Sequence, residues 1–326
     1  MTEVTKGVWY GLGAYTIWGC FPLFFALFEG VPAFEILIHR IIWSCVFLAL
    51  VISGLRRWPA VRAALANPSQ LWRVLACALL IAANWGIYIY SVETRHVLQA
   101  SLGYFLTPLV NVALGMIVLR ERMGPWQMAA VVLAGVGILI QLVILGELPW
   151  ISLALAISFG TYGLVRKQVM LDGLSGLFVE TMLLLPVGLL TFGWLAREGI
   201  SHFGDSAYLG ALLMASGIVT AIPLLLFAGA ARRLRLATVG FLMYINPTLQ
   251  FFIALLVFAE PLSDAQLISF VVIWIALGLY SWSSWHYRPR VPVGQELICH
   301  HKDCITQEKV ASRSLMARAK GTGESS

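Results

Sequence analysis

The sequence predicts an all-α membrane protein, with ten transmembrane helices arranged as two inverted five-helix repeats. Three observations lead to this fold class. The chain is 60% hydrophobic and 12% charged over 326 residues, with a mean hydropathy of +0.84, which is more apolar surface than a soluble domain could bury. Ten apolar segments each approach the ~20 residues that cross a bilayer. Matched residues, finally, recur 139 positions apart, as Pro108 and Pro247 do.

The ten apolar segments follow one another with short connections. In chain order they cover residues 7–28, 34–54, 71–92, 100–119, 125–146, 148–165, 174–196, 207–231, 236–258 and 265–286. We divide the fifth from the sixth at Gly146, because one helix from 125 to 165 would be about 60 Å long, twice the hydrocarbon thickness. The predicted organisation is a first repeat at 1–146, a second repeat at 147–287, and a polar, disordered cytoplasmic tail at 288–326.

The repeat is recognised by one spacing that holds at several positions. Pro108 precedes Glu121 by the same thirteen residues that separate Pro247 from Glu260, and Gln127 matches Gln266 at the same offset. Because each repeat has an odd number of spans, the second must enter the membrane from the opposite side, as in many secondary transporters. Glu121 and Glu260 then fall at opposite surfaces, where they mark helix ends better than a shared site.

The positive charges predict the orientation. With the N-terminus inside, 19 of the 22 Lys and Arg residues lie on the cytoplasmic side, only Arg95 and Arg197 lie outside, and Arg40 lies within a span. This asymmetry predicts cytoplasmic N- and C-termini in the cell inner (plasma) membrane. It also accounts for the net charge of +6, so no nucleic acid partner is expected. The first span is too long for a signal peptide and is expected to stay in the mature protein.

Several local motifs are similar to those of the drug/metabolite transporter superfamily, and within it to the EamA-type permeases called RarD. The similarity covers residues 5–287 and rests on Ala14–Gly19, Glu35–Arg40, Ile42–Ser44, Asn84–Trp85, Ala100–Phe105, Pro108–Asn111, Tyr162–Lys167 and Arg232–Leu236. The resemblance implies a ten-helix inner-membrane permease and says little about its substrate.

Polar residues within the spans are the candidates for substrate binding. Arg40 lies about 9 Å below the outer boundary and Asn84 about 10 Å below it, so the two share a level. Tyr88 follows Asn84 on the same helix face. Arg40 would suit an anionic or carboxylate-bearing substrate, although a snorkelling arginine is an equally good interpretation. Trp85, Tyr88 and Tyr104 are candidates to line a pocket for a flat apolar body.

Two titratable residues are candidates for proton coupling. Glu180 lies near the inner side, about 12 Å along the membrane normal from Arg40, so a direct ion pair between them is not expected. Burial favours the neutral acid, which would let Glu180 bind and release protons. His39 is the alternative, because an unperturbed histidine titrates near neutral pH. Either residue could instead be a satisfied interior polar group.

The two matched prolines predict two further binding faces. Pro108 frees the carbonyl of Tyr104, and Pro247 frees that of Met243, which creates acceptors or a hinge near the midplane. One face then contains Tyr104, Pro108 and Asn111, and the other contains Pro247 and Gln250, with Tyr244 beside it. A kink that only improves helix packing is the alternative interpretation.

No catalytic constellation, cofactor site or phosphate-binding loop is found, so an enzyme is disfavoured. The tail contains four residues of the types that bind zinc, namely Cys299, His300, His301 and Cys304. They lack the spacing of a zinc finger, so no metal is predicted. We therefore expect a secondary transporter, in the outward direction, for small amphipathic organic solutes. Its expected partners are the substrate, the lipid bilayer and protons, with a homodimer left open. A membrane solute sensor that does not transport remains the alternative.

Overall fold

The computed structural model is helical throughout the residues that it describes, which are 2–119, 124–146, 148–166, 168–231, 233–234 and 236–286. Within these ranges it has no β-strand and has one 3₁₀ turn, at His202–Gly204. The α-helices of the described residues are α1 (Glu3–Gly19), α2 (Phe21–Phe25), α3 (Ala33–Gly54), α4 (Trp58–Leu65), α5 (Pro68–Glu93), α6 (Val97–Leu119), α7 (Pro125–Leu145), α8 (Trp150–Arg166), α9 (Gly173–Arg197), α10 (Ala207–Ala231), α11 (Leu236–Met243), α12 (Ile245–Leu256) and α13 (Asp264–His286).

Helix lies on every one of the ten predicted segments. Seven of the described helices are long and apolar enough to cross a membrane, namely α3, α5, α6, α7, α9, α10 and α13. The other three predicted spans correspond to the 17-residue α8 and to two segments that the structure divides. The all-helical membrane class is thus confirmed, while the number of ten crossings and the inverted repeat stay predictions.

The first predicted span was wrong as one continuous helix, because α1 ends at Gly19 and α2 begins at Phe21. Pro22 explains the division: it has no N–H to donate to the carbonyl of Trp18. That carbonyl accepts a hydrogen bond from Gln250 Nε2 of α12, at 3.4 Å. The proline therefore frees an acceptor that a distant helix uses.

The ninth predicted span was also wrong as a continuous helix, since α11 ends at Met243 and α12 begins at Ile245. The break lies at Tyr244, directly after Met243, whose carbonyl Pro247 leaves without its helical N–H donor. The matched Pro108 behaves differently, because α6 continues through it without interruption. Equal sequence spacing did not produce equal backbone geometry.

The connection between the second and third predicted spans contains α4, which the search for long apolar segments did not predict. Its eight residues are too few to cross a membrane, and only Val61 and Ala64 are buried. Pro59 lies in its first turn, where a missing N–H costs nothing. Pro68 begins α5 in the same way, capped by Asn67, whose side chain accepts from the amides of Ser69 and Gln70.

The helix starts repeat the sequence offset. Three helices of the first half begin 139 residues before counterparts in the second: Pro68 and Ala207, Val97 and Leu236, Pro125 and Asp264. The turns before the last pair are also alike: Gln127 Oε1 accepts from the amide of Gly124 at 3.2 Å, and Gln266 Oε1 from that of Ser263 at 3.0 Å. Both caps satisfy an N–H that the helix leaves unpaired.

The helices up to Ser283 form one compact unit in which the two predicted halves pack on each other. Helix α6 packs on α8 and α12, α3 on α9 and α10, α1 on α10 and α12, and α5 on α8. Gly217 of α10 lets α3 approach closely, because a Cβ there would overlap the backbone of Trp43 and Ser44. Small residues permit such approaches between membrane helices.

The residues around Glu260 bear out its description as a helix-end residue. Its carboxylate is 7% exposed and accepts hydrogen bonds from the amides of Val97 and Leu98, at 2.7 and 2.8 Å. A carboxylate at a helix N-terminus also interacts favourably with the helix dipole. Glu260 thus joins the chain that follows α12 to the first turn of α6. Its predicted counterpart, Glu121, lies outside the described residues, as does the tail from 288 onward.

Candidate functional site

Arg40 lies at the centre of a buried polar cluster. It is in α3 and 3% exposed. Its Nε donates a 2.8 Å hydrogen bond to Thr220 Oγ1 of α10, while Nη1 has no partner among the described residues. The side chain points into the bundle, so the snorkelling interpretation does not describe this conformation.

Aromatic rings surround the Arg40 guanidinium. Its carbon lies 4.1 Å from the ring centroid of Trp85, 5.4 Å from that of Phe25 and 5.5 Å from that of Phe21. These distances are within the range of cation–π attraction. The rings come from α2 and α5, so the interrupted first predicted span and the third span together form the wall of the cluster.

Asn84 joins three helices beside this cluster. Its Nδ2 donates to the carbonyl of Leu155 at 3.1 Å and to Ser158 Oγ at 3.0 Å, both on α8. The Tyr104 hydroxyl of α6 lies 3.5 Å from Asn84 Oδ1, at the limit of a hydrogen bond. Asn84 is therefore a fixed element of the interface between α5, α6 and α8.

Tyr88, one turn after Asn84, is buried and its hydroxyl has no hydrogen-bond partner among the described residues. Its ring lies 6.0 Å from that of Phe25 and 5.8 Å from that of Tyr104. An unpaired buried hydroxyl costs free energy unless something satisfies it. The Tyr88 ring, which carries this unpaired hydroxyl, therefore contacts the same Phe25 ring that contacts Arg40.

The predicted face of α6 runs from the cluster toward more exposed surroundings. Tyr104 is half-buried, Pro108 is buried and Asn111 is exposed. Asn111 Oδ1 lies 3.3 Å from where a Cβ on Gly160 of α8 would stand. Exposure thus increases toward the C-terminal end of α6, away from the closed cluster at Arg40.

The predicted second face lies apart from the cluster. The carbonyl of Pro247 accepts from Ser101 Oγ of α6 at 2.8 Å, and Gln250 Nε2 donates to Asn246 Oδ1 at 2.7 Å. The first bond joins α6 to α12, whereas the second lies within α12, and Gln250 Oε1 has no hydrogen-bond partner among the described residues. Tyr244 lies at the break and borders a cavity of about 250 Å³ whose other lining residues are Phe105, Trp274, Leu277, Gly278 and Ser281.

A second cavity, of about 320 Å³, is lined by Tyr10 of α1 and by Ile222, Leu225 and Leu226 of α10. Its lining is almost entirely apolar, and none of the predicted polar residues contributes to it. Cavities with a few convergent polar groups are the usual sites for small molecules. Neither cavity contains the convergent polar groups that the Arg40 cluster has.

Glu180 of α9 lies fully buried with partners that the sequence prediction did not identify. Its Oε1 lies 3.6 Å from Arg166 Nε, and the Tyr162 hydroxyl donates to Oε2 at 3.3 Å. Arg40 is not among its partners, in agreement with the estimate of depth. Arg166 Nη2 also donates to the carbonyls of Leu171 and Asp172, at 3.3 and 2.8 Å.

The connection between α8 and α9 is tied through Asp172 to Arg57, in the connection between α3 and α4. Arg57 Nη1 lies 2.8 Å from Asp172 Oδ2. Partial burial opposes ionisation of this carboxyl, but hydrogen bonds from Ser175 and the charge of Arg57 outweigh it and lower the pKa of Asp172. Because both side chains are about one-third exposed, the pair fixes the connection more than it stabilises the fold.

His39 lies apart from the Arg40 cluster although the two residues are adjacent in sequence. Its ring stacks on Phe203 at 5.0 Å and contacts Phe192 edge-on at 5.0 Å. Neither ring nitrogen has a hydrogen-bond partner among the described residues. The structure therefore brings Arg40, Asn84, Trp85, Tyr88 and Tyr104 together and leaves His39, Glu180, Tyr244, Pro247 and Gln250 at other places.

The sequence prediction did not find the partners that complete these sites. Thr220 and Ser158 are single polar residues in apolar segments, far along the chain from the groups that they contact, whereas Arg166, at the end of α8, is close in sequence to Glu180. Arg166 belongs to a motif that carries the family resemblance, which was the only available signal for it. No group of three or more His, Cys, Asp or Glu that could hold a metal occurs in the part of the chain that the structure describes.

Comparisons with known proteins also indicate a membrane transporter. Residues 5–143 match the model of the EamA-like transporter family. The chain is 46% identical over 279 residues to Protein RarD of Salmonella typhi, covering 85% of this chain and 95% of that one. An uncharacterised transporter of Vibrio cholerae is 44% identical over 280 residues, covering 86% and 93%.

More distant similarities agree. A protein of Pseudomonas aeruginosa named chloramphenicol-sensitive protein RarD is 32% identical over 284 residues, with 86% of this chain and 94% of that one covered. One crystal structure of a protein superposes with a TM-score of 0.54 at 17% identity, covering 86% of this chain and 99% of that chain. At that identity the superposition shows a shared fold only.

Proposed function

Because this chain belongs to the EamA-like transporter family and is a multi-pass membrane permease of the drug/metabolite transporter type, we propose that it is a secondary transporter that works by alternating access. Family membership points to transport rather than to an enzyme. The proposed cargo is a small amphipathic organic solute, such as a drug, an amino acid or a metabolite, and the proposed direction is outward across the cell inner membrane. A homodimer is compatible with this function.

The observation that carries the proposal is the buried cluster between the two predicted repeats. Arg40, Asn84 and Tyr104 come from the first repeat, and their partners Thr220 and Ser158 come from the second. Transporters with inverted repeats hold their substrates at this kind of interface, because relative movement of the halves then exposes the site to alternate sides. We assign substrate binding to Arg40, Asn84, Trp85, Tyr88, Tyr104, Pro108 and Asn111, with Tyr244, Pro247 and Gln250 as supporting residues from the second repeat.

The break between α11 and α12 supports a bending role for the second proline helix. Helix α12 packs on α6, whereas α11 packs on α1, α10 and α12. After Tyr244, the segment that contains Pro247 packs on α6, the helix that contains Pro108. Before Tyr244, the chain packs on α1 and α10 instead. A hinge at this position would let one end of the bundle open while the other stays closed.

Proton coupling is assigned to Glu180, with His39 as the alternative. Glu180 has no exposed surface, and its Oε1 has no hydrogen bond among the described residues. Burial without full hydrogen bonding disfavours the charged carboxylate, whereas the Arg166 guanidinium 3.6 Å from Oε1 favours it, and this balance supports exchange of a proton. His39, between two phenylalanine rings, has no acceptor for a ring proton and is the weaker candidate.

Reconstitution in proteoliposomes tests transport against the sensor alternative. The purified full chain is assayed for solute flux and proton movement with a panel of amino acids, metabolites and drugs, chloramphenicol included because one relative carries it in its name. We expect saturable flux of at least one solute, accelerated by an imposed pH gradient. Binding of a solute without any flux would favour a sensor, and no flux with any member of the panel would count against transport.

The coupling assignment is tested separately with Glu180→Gln, which keeps the shape of the side chain but cannot exchange a proton. We expect the variant to lose acceleration by the pH gradient while it retains exchange of solute without a gradient. Glu198→Gln, at the exposed end of α9, is the control and should behave as the wild type. An unchanged response to the gradient in Glu180→Gln would exclude this residue.

A further inference from the structure

The Arg40 guanidinium is a buried cation with no acidic partner among the described residues. Its one side-chain hydrogen bond goes to the neutral hydroxyl of Thr220. The ionisable side chains near it are the phenols of Tyr88 and Tyr104, which carry no charge at neutral pH. Glu35, on the same helix, is turned toward His202, to which its carboxylate is bonded at 2.7 Å. Arginines within a membrane protein are usually paired, because an unpaired charge is expensive there.

The rings around Arg40 satisfy its faces but not its N–H groups. Trp85, Phe25 and Phe21 lie 4.1 to 5.5 Å from the guanidinium carbon. Aromatic faces attract a cation, yet they offer no lone pair to an N–H in the guanidinium plane. Nη1 accordingly remains without a hydrogen bond among the described residues. Nη1, one donor of the fork that suits a carboxylate, is therefore unused in the part of the chain that the structure describes.

A second unused donor lies against the same rings. The Tyr88 hydroxyl is buried without a partner, and the Tyr88 ring is 6.0 Å from the Phe25 ring that also faces Arg40. The Tyr104 hydroxyl is held by Asn84 only at 3.5 Å. The unsatisfied groups at this site are the Arg40 guanidinium and the Tyr88 hydroxyl, both of which can donate, and no carboxylate bonds either of them among the described residues. Such a set of donors is complementary to an anion.

We propose that the transported solute is a monoanion, with a carboxylate-type group attached to a flat apolar body, and that Arg40 and Tyr88 bind the anionic group. This inference rests on the proposed function and specifies the substrate class of its central site. The rings of Phe21, Phe25, Trp85 and Tyr104 contact the flat body. The anion neutralises Arg40 in the bundle, so the loaded site carries no net charge.

Three probes with the same body and different charge test the inference: 3-phenylpropionate, 3-phenylpropionamide and 3-phenylpropylamine. Binding to the purified full chain in detergent is followed by thermal stabilisation, and flux in proteoliposomes by uptake of each labelled probe. We expect the acid to bind at least about tenfold more tightly than the amide or the amine, because only the acid supplies the missing charge.

Variants of the two donors identify the site. Arg40→Met should weaken binding of the acid by about tenfold or more, and Arg40→Lys, which keeps the charge but loses the planar fork, by less. Tyr88→Phe keeps the ring and should weaken binding of the acid several-fold without affecting the amide. Arg197→Met, at the exposed end of α9, is the matched control. Arg40→Lys and Tyr88→Phe remain informative if Arg40→Met does not fold.

Equal binding of all three probes, or tight binding of the acid to Arg40→Met, would overturn the inference. So would the absence of any effect of 3-phenylpropionate at millimolar concentration. Flux of another solute without preference for negative charge would reject the anion site but leave the transporter intact. No flux of any solute would reject the proposed function itself, so the two failures are distinguishable.

Discussion

Glycine at position 176 of α9 leaves the space in which the Arg166 guanidinium lies. A Cβ there would overlap Arg166 Nη2 and the guanidinium carbon. Arg166 in turn donates hydrogen bonds to the carbonyls of Leu171 and Asp172 and forms an ion pair with Glu180. The absence of one side chain therefore permits an ion pair and fixes a connection between two helices.

We expect Gly176→Ala to destabilise the protein by about 1–3 kcal/mol, because the new methyl group displaces Arg166. The sign is informative, since replacing glycine by alanine within a helix normally stabilises it by about 1 kcal/mol. The midpoint of thermal unfolding in detergent measures the effect. Gly173→Ala, at the first position of α9 with open space around it, should be neutral or stabilising. A midpoint for Gly176→Ala at or above that of the wild type would contradict this interpretation.

At the scale of residues, the sequence identified which polar groups lie together better than it identified their partners. The depths of Arg40 and Asn84 and the helix face shared with Tyr88 were enough to group them. Thr220 and Ser158, which bond Arg40 and Asn84, are 180 and 74 residues away in the chain. A hydroxyl in an apolar segment has no distinctive pattern, so only the packing of α8 and α10 shows its role.

At the scale of elements, the apolar segments predicted where helices lie but not where they break. Pro108 lies in a continuous helix, whereas a break precedes Pro247 by three residues. Proline removes one donor in both cases. Whether the helix also breaks depends on what its neighbours offer the freed backbone groups, and those neighbours are set by tertiary packing.

Glu260 stabilises the start of α6 from another part of the chain. We expect Glu260→Ala to lower the free energy of unfolding by about 1–3 kcal/mol, because it leaves two buried amides without an acceptor. Glu260→Gln keeps one acceptor oxygen but no charge, so its free energy of unfolding should lie between those of the wild type and Glu260→Ala. Thermal unfolding in detergent measures both, with Glu198→Ala as the exposed control. Equal midpoints for Glu260→Ala and Glu198→Ala would show that the cap contributes nothing.

At the scale of the whole molecule, the parity of the crossings decides the topology. Ten crossings place both termini in the cytoplasm, whereas seven would place them on opposite sides. We expect alkaline phosphatase, which is active only outside the inner membrane, to be inactive when fused after Arg57 or Arg166 and active when fused after Arg197. A fluorescent protein at the C-terminus should be bright, because it folds on the cytoplasmic side. A dark C-terminal fusion, or an active one after Arg166, would contradict the ten-span topology.

By itself, the sequence determined the all-helical membrane class, the family and the location of the apolar helices, because composition and the length of apolar segments are local properties. The central residues Arg40, Asn84, Trp85, Tyr88 and Tyr104 were also recognisable, since polar and aromatic groups are conspicuous within hydrocarbon-length segments. Only the tertiary structure decided which groups meet. The packing of distant helices decides four features: the contacts of Phe21 and Phe25 with Arg40, the pairing of Arg166 with Glu180, the cap that Glu260 forms on α6, and the separation of His39 from the cluster. That packing follows from the shapes of many side chains together, which no single segment contains.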